Sequence, residues 1–192
     1  MLLLRDAHNR IIRDLRVSLT DRCNFRCFYC LPNGEPSLAH KETILTFEEI
    51  DYICEIFVSL GIEKIRLTGG EPMLRKNIEI LIEKLARLKS PKSEEGNPKS
   101  KIQNPKLKDL ALTTNGHSFP RRAADLKRAG LDRVTISLDS LNREKFKEIT
   151  GVDALENVLQ SVEAAKETGL IPVKINAVIV RGRNNDELVD FA

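Results

Sequence analysis

The amino-acid sequence predicts an α/β fold in which about five parallel strands form part of a TIM-like (βα) barrel that stops before a sixth strand. Three observations predict it. Strand-like segments alternate with helical segments of roughly 10 to 15 residues, which favours parallel strands joined by right-handed crossovers. Residues that begin or end helices stand at the expected places. Short, uncommon motifs follow successive strands, where the reactive loops of such barrels lie.

The elements follow one another in a regular order. The predicted strands are the segments 14–20, 62–72, 107–116, 132–140 and 170–180. The predicted helices are the segments 47–61, 77–89, 120–131 and 155–168. The first helix opens with a capping box of Thr46 and Glu49 and ends at Gly61. Pro120 and Gly130 suit the first turn and the C-terminal end of the third helix.

The last residues, 184–192, begin a further helix, and a five-stranded arc leaves one edge of the sheet unpaired. We therefore expect residues 1–192 to be an incomplete core domain, either a truncated chain or a fragment of a longer protein. Residues 89–108 contain three prolines and are rich in charge, so they have little to bury. We expect that segment to be a disordered insertion within the domain.

The charge and the apolar pattern exclude several classes of protein. The net charge is +3, but residues 89–108 carry six lysines and two glutamates, so the rest of the chain is about neutral. Because no basic stripe with interleaved aromatic residues is present, we expect no nucleic-acid partner. No apolar run reaches the roughly 18 to 20 residues of a membrane span, so we expect a cytoplasmic protein with reduced cysteines.

The motifs cluster at the carboxyl ends of the predicted strands. Three cysteines follow the first strand, "TGGEP" the second, "TTNG" the third and "SLDS" the fourth, while Lys174 and Asn176 lie on the fifth. One such turn means little, because glycine and asparagine are common in turns. Four of them at the same rim of a barrel indicate a site.

The cysteines Cys23, Cys27 and Cys30 have the spacing C-x3-C-x2-C. Zinc sites are usually closed by four ligands, and the nearest histidine is His40 in a polar stretch, so zinc is the less favoured alternative. Iron-sulfur cubes are normally held by four thiolates, so three would leave one iron open for chemistry. Cys54 lies on the apolar side of the first predicted helix and fits a small buried hydrophobe.

The cysteine spacing and the "GGEP" of residues 69–72 resemble the radical S-adenosylmethionine (SAM) superfamily. The resemblance implies a barrel of the radical SAM type and one [4Fe-4S] cluster on Cys23, Cys27 and Cys30. Its open iron would bind the amino and carboxylate groups of SAM.

The resemblance also assigns residues to SAM itself, namely Tyr29, Gly70, Glu71 and Ser137. Tyr29 would contact the adenine, and Glu71 would receive the methionyl amino group. The chemistry agrees, because a carboxylate pairs with an ammonium group and glycine lets the backbone approach a ligand closely.

Within the superfamily, five strings resemble the GTP 3′,8-cyclases of molybdenum cofactor (molybdopterin) biosynthesis. They are "LRVSLTDRCNFRCFYCLP", "IRLTGGEPMLR", "LTTNG", "LKRAGLDRVTISLDSL" and "VKINAVIVRGRNNDEL". The resemblance covers residues 10–192 apart from the insertion, and it assigns Arg16, Arg66, Thr113 and Lys174 to GTP. A structural alternative stays open for the arginines, which could pair with acidic residues of neighbouring strands.

The implied reaction converts GTP to (8S)-3′,8-cyclo-7,8-dihydroguanosine 5′-triphosphate through a 5′-deoxyadenosyl radical, as in a lyase. The cluster and SAM carry this chemistry, and no side chain acts as a catalytic acid or base. The implied partners are GTP as substrate, an electron donor such as flavodoxin or ferredoxin, the pterin synthase of the next step, and a second copy in a homodimer.

The chain departs from that family in one respect. The cyclases carry a second three-cysteine cluster in their C-terminal region, and no cysteine follows Cys54 here. We expect residues 1–192 alone to hold a labile cluster and to cleave SAM slowly without forming the cyclised nucleotide. Two alternatives stay open: another radical SAM enzyme, such as a peptide-modifying one, and a degenerate remnant without catalysis.

Overall fold

The computed structural model describes residues 3–30, 38–89 and 106–192. Within them, five strands form one open sheet in the order β1-β2-β3-β4-β5, and each neighbouring pair is parallel. The strands are β1 (Asp14–Ser18), β2 (Lys64–Thr68), β3 (Asp109–Thr114), β4 (Arg133–Ser137) and β5 (Lys174–Asn176). The helices are α1 (Phe47–Ser59), α2 (Ile78–Ala86), α3 (Ala123–Arg128), α4 (Arg143–Thr150) and α5 (Leu155–Glu167). The predicted α/β partial barrel is confirmed.

The sheet has one apolar face and one polar face, because successive side chains of a strand point to opposite sides. On the apolar face, Ile65, Leu67, Leu110, Leu112 and Ile136 are at most 1% exposed and join the core that the helices cover. The polar side chains between them in sequence lie on the other face. The core therefore occupies one side of the sheet and leaves the other for binding.

The start of α1 agrees with its sequence signals. Glu49 N–H donates to Thr46 Oγ1 (3.2 Å) and Thr46 N–H donates to Glu49 Oε2 (2.8 Å), which is the predicted capping box. The buried stripe of the helix contains Ile50 and Cys54, so the predicted burial of Cys54 is confirmed. Ile53, which the apolar spacing also placed on that stripe, is 37% exposed.

Helix α4 was missed in the sequence. Its segment is mostly charged, and its buried apolar side chains are Phe146 and Ile149 alone. Asn142 caps its first turn by accepting two backbone N–H groups, and Gly151 ends it at a φ of 73°. These end signals were visible, but two apolar residues do not make a stripe long enough to reveal a helix.

Several predicted boundaries were too long. The first strand ends before the cysteines, and the next three end within the first two residues of their motifs, because the remaining motif residues leave the ladder for loops. The fifth strand was predicted over 170–180, but β5 has three residues and their side chains are exposed. The predicted helix in 184–192 is a short 3-10 helix at Asn185–Glu187. Helix α3 begins three residues after Pro120.

Most of the predicted insertion, residues 90–105, lies outside the described residues, so its disorder stays a prediction. The residues beside it are described, and Leu107 N–H donates to the Leu88 carbonyl (3.1 Å). The described residues on the two sides of this segment therefore lie next to each other. Among the described helices, none is long and apolar enough to cross a membrane.

Candidate functional site

The polar face of the sheet brings together residues from all five strands. Arg16 of β1 pairs in register with Arg66 of β2, and Thr113 of β3 pairs with Thr135 of β4. Thr135 in turn pairs with Lys174 of β5. Because residues in register on neighbouring strands point to the same side, the four residues predicted to bind GTP share this face.

A cavity of about 440 Å³ opens on the polar face, within the usual size range of small-molecule sites. Three of the predicted residues, Arg16, Arg66 and Thr113, line it. Lys174 is exposed and is not among the lining residues. Asn176 lines the cavity although it was not assigned to the site, since the sequence placed it on β5 without giving it a role.

The two arginines of this cavity are available to a ligand. Within residues 3–30, 38–89 and 106–192, neither Arg16 nor Arg66 has an ion-pair or hydrogen-bond partner, so the structural alternative of pairing with acidic residues is wrong for the described chain. The acidic lining residues pair with other cations: Asp14 pairs with Lys64 of β2 (3.8 Å), which also lines the cavity, and Asp109 Oδ1 accepts from Arg133 Nε (2.7 Å). Two unpaired guanidinium groups on one wall suit a polyanion.

The Thr113 side chain, like the two arginines, has hydrogen-bonding capacity that the described chain does not use. Its Oγ1 is buried and has no hydrogen-bond partner in the described part of the chain. A buried hydroxyl without a partner costs about 1–3 kcal/mol. Because Thr113 also lines the cavity, it is a candidate for contact with a ligand.

The three loop cysteines line a second cavity of about 280 Å³, together with Gly70. Burial raises the pKa of Cys27 to about 11 and raises the pKa of Cys23 above its ordinary value. Such thiols release protons readily only to a metal that binds the thiolate. Among the described residues, no group of three metal-ligating side chains is close enough together to hold an ion. The three thiols therefore share a cavity without forming a coordination sphere. A donor set of three thiols suits iron-sulfur or zinc chemistry.

The cysteine loop is held by the helix that the sequence missed. Arg26 N–H donates to the Thr150 carbonyl (2.8 Å), and Phe28 N–H donates to the Ile149 carbonyl (3.1 Å). Phe25 is buried between these contacts and the core. The last turn of α4 thus provides carbonyl groups that fix the cysteine loop on both sides of Cys27.

The two glycines of "GGEP" are required where two loops meet. A Cβ on Gly70 would lie 2.3 Å from the carbonyl oxygen of Arg22, and one on Gly69 would lie 2.6 Å from that of Thr20. Gly70 N–H donates to the Thr20 carbonyl (2.6 Å). The glycines therefore let the loop after β2 approach the backbone of the cysteine loop, which the sequence had explained only by approach to a ligand.

Glu71 is 1% exposed, and its carboxylate accepts three hydrogen bonds within the chain. The donors are Met73 N–H (2.9 Å), Thr114 Oγ1 (2.8 Å) and Asn115 N–H (2.7 Å). Burial raises the pKa of Glu71, although these hydrogen bonds act in the opposite direction. Glu71 joins the loops after β2 and β3, and its assignment to the methionyl amino group stays a prediction.

Tyr29 lies between the cysteine loop and the loop after β4. Its hydroxyl donates to Asp139 Oδ2 (2.6 Å), and burial and the nearby Asp139 carboxylate raise the pKa of Tyr29. Ser137 is half-buried at the end of β4, and it lines neither cavity. The SAM assignments of Tyr29 and Ser137 stay predictions.

Two residues of the site were not singled out in the sequence. Asp139 belongs to "SLDS", and Asn115 belongs to "TTNG". Asn115 Nδ2 donates to Asn24 Oδ1 (2.8 Å) and lies 3.9 Å from Cys23 Sγ. The motifs marked the right loops, but the sequence could not say which member reaches the cysteine loop.

The chain matches the family model described as the radical SAM superfamily over residues 17–192. A GTP 3′,8-cyclase of Thermodesulfovibrio yellowstonii is 45% identical over 190 residues, which cover 98% of this chain and 54% of the relative. A GTP 3′,8-cyclase of Listeria monocytogenes is 40% identical over 191 residues, which cover 100% of this chain and 53% of the relative. The chain spans about half the length of the curated relatives that it matches.

Solved structures of similar fold include Streptococcus suis SuiB bound to S-adenosylmethionine, with a TM-score of 0.65 and 20% identity over 93% of this chain and 37% of that one. Another is anSMEcpe with bound AdoMet, with a TM-score of 0.60 and 21% identity over 86% of this chain and 42% of that one. At this level of identity the likeness concerns the fold alone.

Proposed function

The chain belongs to the radical SAM superfamily, and on that premise we propose that it is the cofactor- and substrate-binding core of a GTP 3′,8-cyclase, a radical SAM lyase of molybdenum cofactor biosynthesis. The observation that carries the proposal is the cavity of the polar face, where Arg16, Arg66 and the Thr113 hydroxyl have no partner among the residues that the structure describes. The relatives named GTP 3′,8-cyclase support the same substrate.

The first part of the proposal concerns the cofactors. Cys23, Cys27 and Cys30 would hold a [4Fe-4S] cluster, and the thiol-lined cavity is chemically suited to it. When both are bound, the cluster would supply an electron and SAM the 5′-deoxyadenosyl group for radical chemistry on the ribose of GTP. Gly70, Tyr29, Glu71 and Ser137 are proposed to bind SAM.

The second part concerns the nucleotide. Arg16 and Arg66 would each present a planar guanidinium fork to phosphate oxygens, and Lys174 would add a point charge at the exposed end of the face. The Thr113 hydroxyl, which has no partner in the described chain, would form a hydrogen bond to the ligand. These residues bind and orient the substrate and exclude water, while none serves as an acid or a base.

The partners follow from the proposed reaction. We propose reduction by a small electron-transfer protein such as flavodoxin or ferredoxin, and transfer of the product to the pterin synthase of the next step. A homodimer and a second cluster in the rest of the protein are likewise proposals.

Anaerobic reconstitution of the chain with iron and sulfide tests the cluster. We expect about four irons per chain, and we expect that substitution of Cys23, Cys27 or Cys30 by Ala abolishes the visible absorption of the cluster. Cys54→Ala is the matched control, because Cys54 is buried in α1 and lines neither of the two cavities. Equal loss in the control would contradict the assignment.

Calorimetric titration of the reconstituted chain with GTP tests the substrate. Arg66→Gln should weaken binding about 10- to 150-fold, since hydrogen bonds to charged groups contribute about 1.5–3 kcal/mol. Arg13→Gln is the control, because Arg13 pairs with Glu63 away from the cavity. A cluster that forms without GTP binding would favour a different radical SAM enzyme, such as a peptide-modifying one, and failure of both would favour a degenerate remnant.

A further inference from the structure

The segment that follows β5 is bound closely to the loop after β4, and the proposed function gives that contact no role. Asn184 has no exposed surface. Its Nδ2 donates to the carbonyl oxygens of Asp139 (2.5 Å) and Val178 (3.0 Å), and its Oδ1 accepts from Val180 N–H (2.8 Å). Because the buried side-chain amide is bonded through both Nδ2 and Oδ1, it fixes the backbone at Asp139 on one side and at Val178 and Val180 on the other.

Glu187, one turn further on, is 6% exposed and accepts hydrogen bonds from the same loop. The donors are the Ser140 hydroxyl (2.9 Å), Leu141 N–H (2.7 Å) and Asn142 N–H (3.3 Å). Lys145 pairs with the carboxylate at 3.4 Å. A charge this deeply buried is costly unless its surroundings satisfy it, so the loop and Glu187 determine each other's position.

The loop held in this way carries Asp139, which is 3% exposed. Asp139 Oδ1 accepts from Val178 N–H (2.8 Å), and its Oδ2 accepts from the Tyr29 hydroxyl (2.6 Å). Tyr29 directly precedes Cys30, whose side chain lines the thiol cavity. A continuous set of hydrogen bonds therefore leads from the segment after β5 to the end of the cysteine loop.

We propose that Asn184 and Glu187 are positioning residues that fix the loop of residues 138–142, so that Asp139 holds Tyr29, the residue directly before Cys30, and sets the affinity of the site for SAM. The proposal deepens the proposed function and rests on it for the identity of the ligand. Neither residue touches the thiol cavity or the cavity of the polar face, so both act through Asp139 and Tyr29. Residues bonded directly to metal ligands commonly change the affinity or activity of a site about 10- to 100-fold when they are replaced, and because Asn184 and Glu187 lie further out we expect the lower end of that range.

The chain offers a matched control for each substitution. Asn185 is exposed and accepts only from Gly182 N–H (2.6 Å) within the same turn, and Asp186 is exposed and pairs with Lys145 (2.6 Å). Asn184→Ala is therefore compared with Asn185→Ala, and Glu187→Gln with Asp186→Asn. The two variants of each pair carry the same chemical change at neighbouring positions. Only Asn184→Ala and Glu187→Gln remove or weaken a hydrogen bond to residues 138–142.

The first measurement is the dissociation constant for SAM of the reconstituted chain, by calorimetry. Asn184→Ala and Glu187→Gln should weaken binding about 10-fold. The two control variants should stay within about twofold of the parent. Equal affinity in all four variants would overturn the proposal, and so would an equal loss in the controls.

The second measurement follows Tyr29 directly and needs no cofactor. The chain has two tyrosines and no tryptophan, so in a Tyr52→Phe background the intrinsic emission comes from Tyr29 alone. A hydrogen bond to a carboxylate quenches tyrosine emission. Release of the hydroxyl from Asp139 should therefore brighten the folded Asn184→Ala and Glu187→Gln chains and leave the two controls unchanged.

This second measurement separates positioning from a purely structural role. A residue that only stabilised the fold would lower the denaturation midpoint without changing the emission of the folded chain. If Asn184→Ala does not fold, Glu187→Gln carries the comparison, and unchanged emission there overturns the proposal. Failure of the parent chain to bind SAM would refute the proposed function, while the emission would still decide whether Asn184 and Glu187 position Tyr29.

Discussion

Two adjacent threonines of β3 should respond differently when their hydroxyl groups are replaced by methyl groups. Thr114 lies on the buried side, where its Oγ1 donates to Glu71 Oε1 (2.8 Å) and accepts from Gly116 N–H (3.1 Å). Thr113 lies on the polar face, where its buried Oγ1 has no partner in the described chain. The same chemical change therefore removes two hydrogen bonds in one case and none in the other.

The magnitudes follow from these contacts. Thr114→Val deprives the buried Glu71 carboxylate of one of three donors and leaves Gly116 N–H unpaired, which should cost about 2–4 kcal/mol in the free energy of unfolding. Thr113→Val removes an unsatisfied hydroxyl, so the free energy of unfolding should equal that of the parent or exceed it by up to about 3 kcal/mol. Because about 1 kcal/mol corresponds to roughly 2–4 °C in a chain of this size, the loss in Thr114→Val alone should separate the two melting temperatures by at least about 4–16 °C.

Urea denaturation followed by far-ultraviolet circular dichroism measures the two free energies, with calorimetric GTP binding as the companion assay. Thr113→Val should keep or exceed the stability of the parent and weaken GTP binding about 5- to 10-fold, the value of one hydrogen bond. An equal destabilisation by both substitutions would refute the argument, because it would mean that the Thr113 hydroxyl already has a structural role. Unchanged GTP affinity in Thr113→Val would remove that residue from the proposed site.

Three further outcomes are expected. The hydrogen bonds from Arg122 lower the pKa of Glu79 in the folded state. The ion pair therefore stabilises the folded chain fully above the pKa that Glu79 has when unfolded, and this stabilisation is lost as the pH falls through the pKa of folded Glu79. Glu79→Gln should therefore lower the free energy of unfolding by about 1 kcal/mol at neutral pH. In acid the urea midpoints of the variant and the parent should converge. A difference between the two midpoints that stays constant with pH would contradict the contribution of the ion pair. Gly70→Ala should prevent cluster incorporation, because the new Cβ would meet the Arg22 carbonyl oxygen. Gly169→Ala is the control, because a Cβ there meets no atom. It should cost only about 1–2 kcal/mol in stability for the positive φ of residue 169 and leave the iron content unchanged. Replacement of residues 90–105 by a short Gly-Ser link should leave iron content and GTP affinity intact, and loss of either would refute the insertion.

Local sequence signals predicted those parts of the fold whose cause is local. The capping box of Thr46 and Glu49 formed as predicted, because both partners lie within one turn of the same helix. The parallel order of the strands followed from their alternation with helices. Helix α4 was missed because its stability comes from two buried apolar residues and from its end caps rather than from a stripe. The length of β5 was overestimated because only its pairing with β4 decides which residues enter the ladder.

The same division holds for the site. The spacing of Cys23, Cys27 and Cys30 and the order of the motifs were enough to predict which loops lie together, because the carboxyl ends of parallel strands meet at one edge. Only the tertiary structure decided what individual side chains do there. Glu71 is occupied by the loop after β3, and Asp139 holds Tyr29. Spacing along the chain fixes which residue types can reach a ligand, whereas burial and the hydrogen bonds between distant segments determine which of them remain free to bind it.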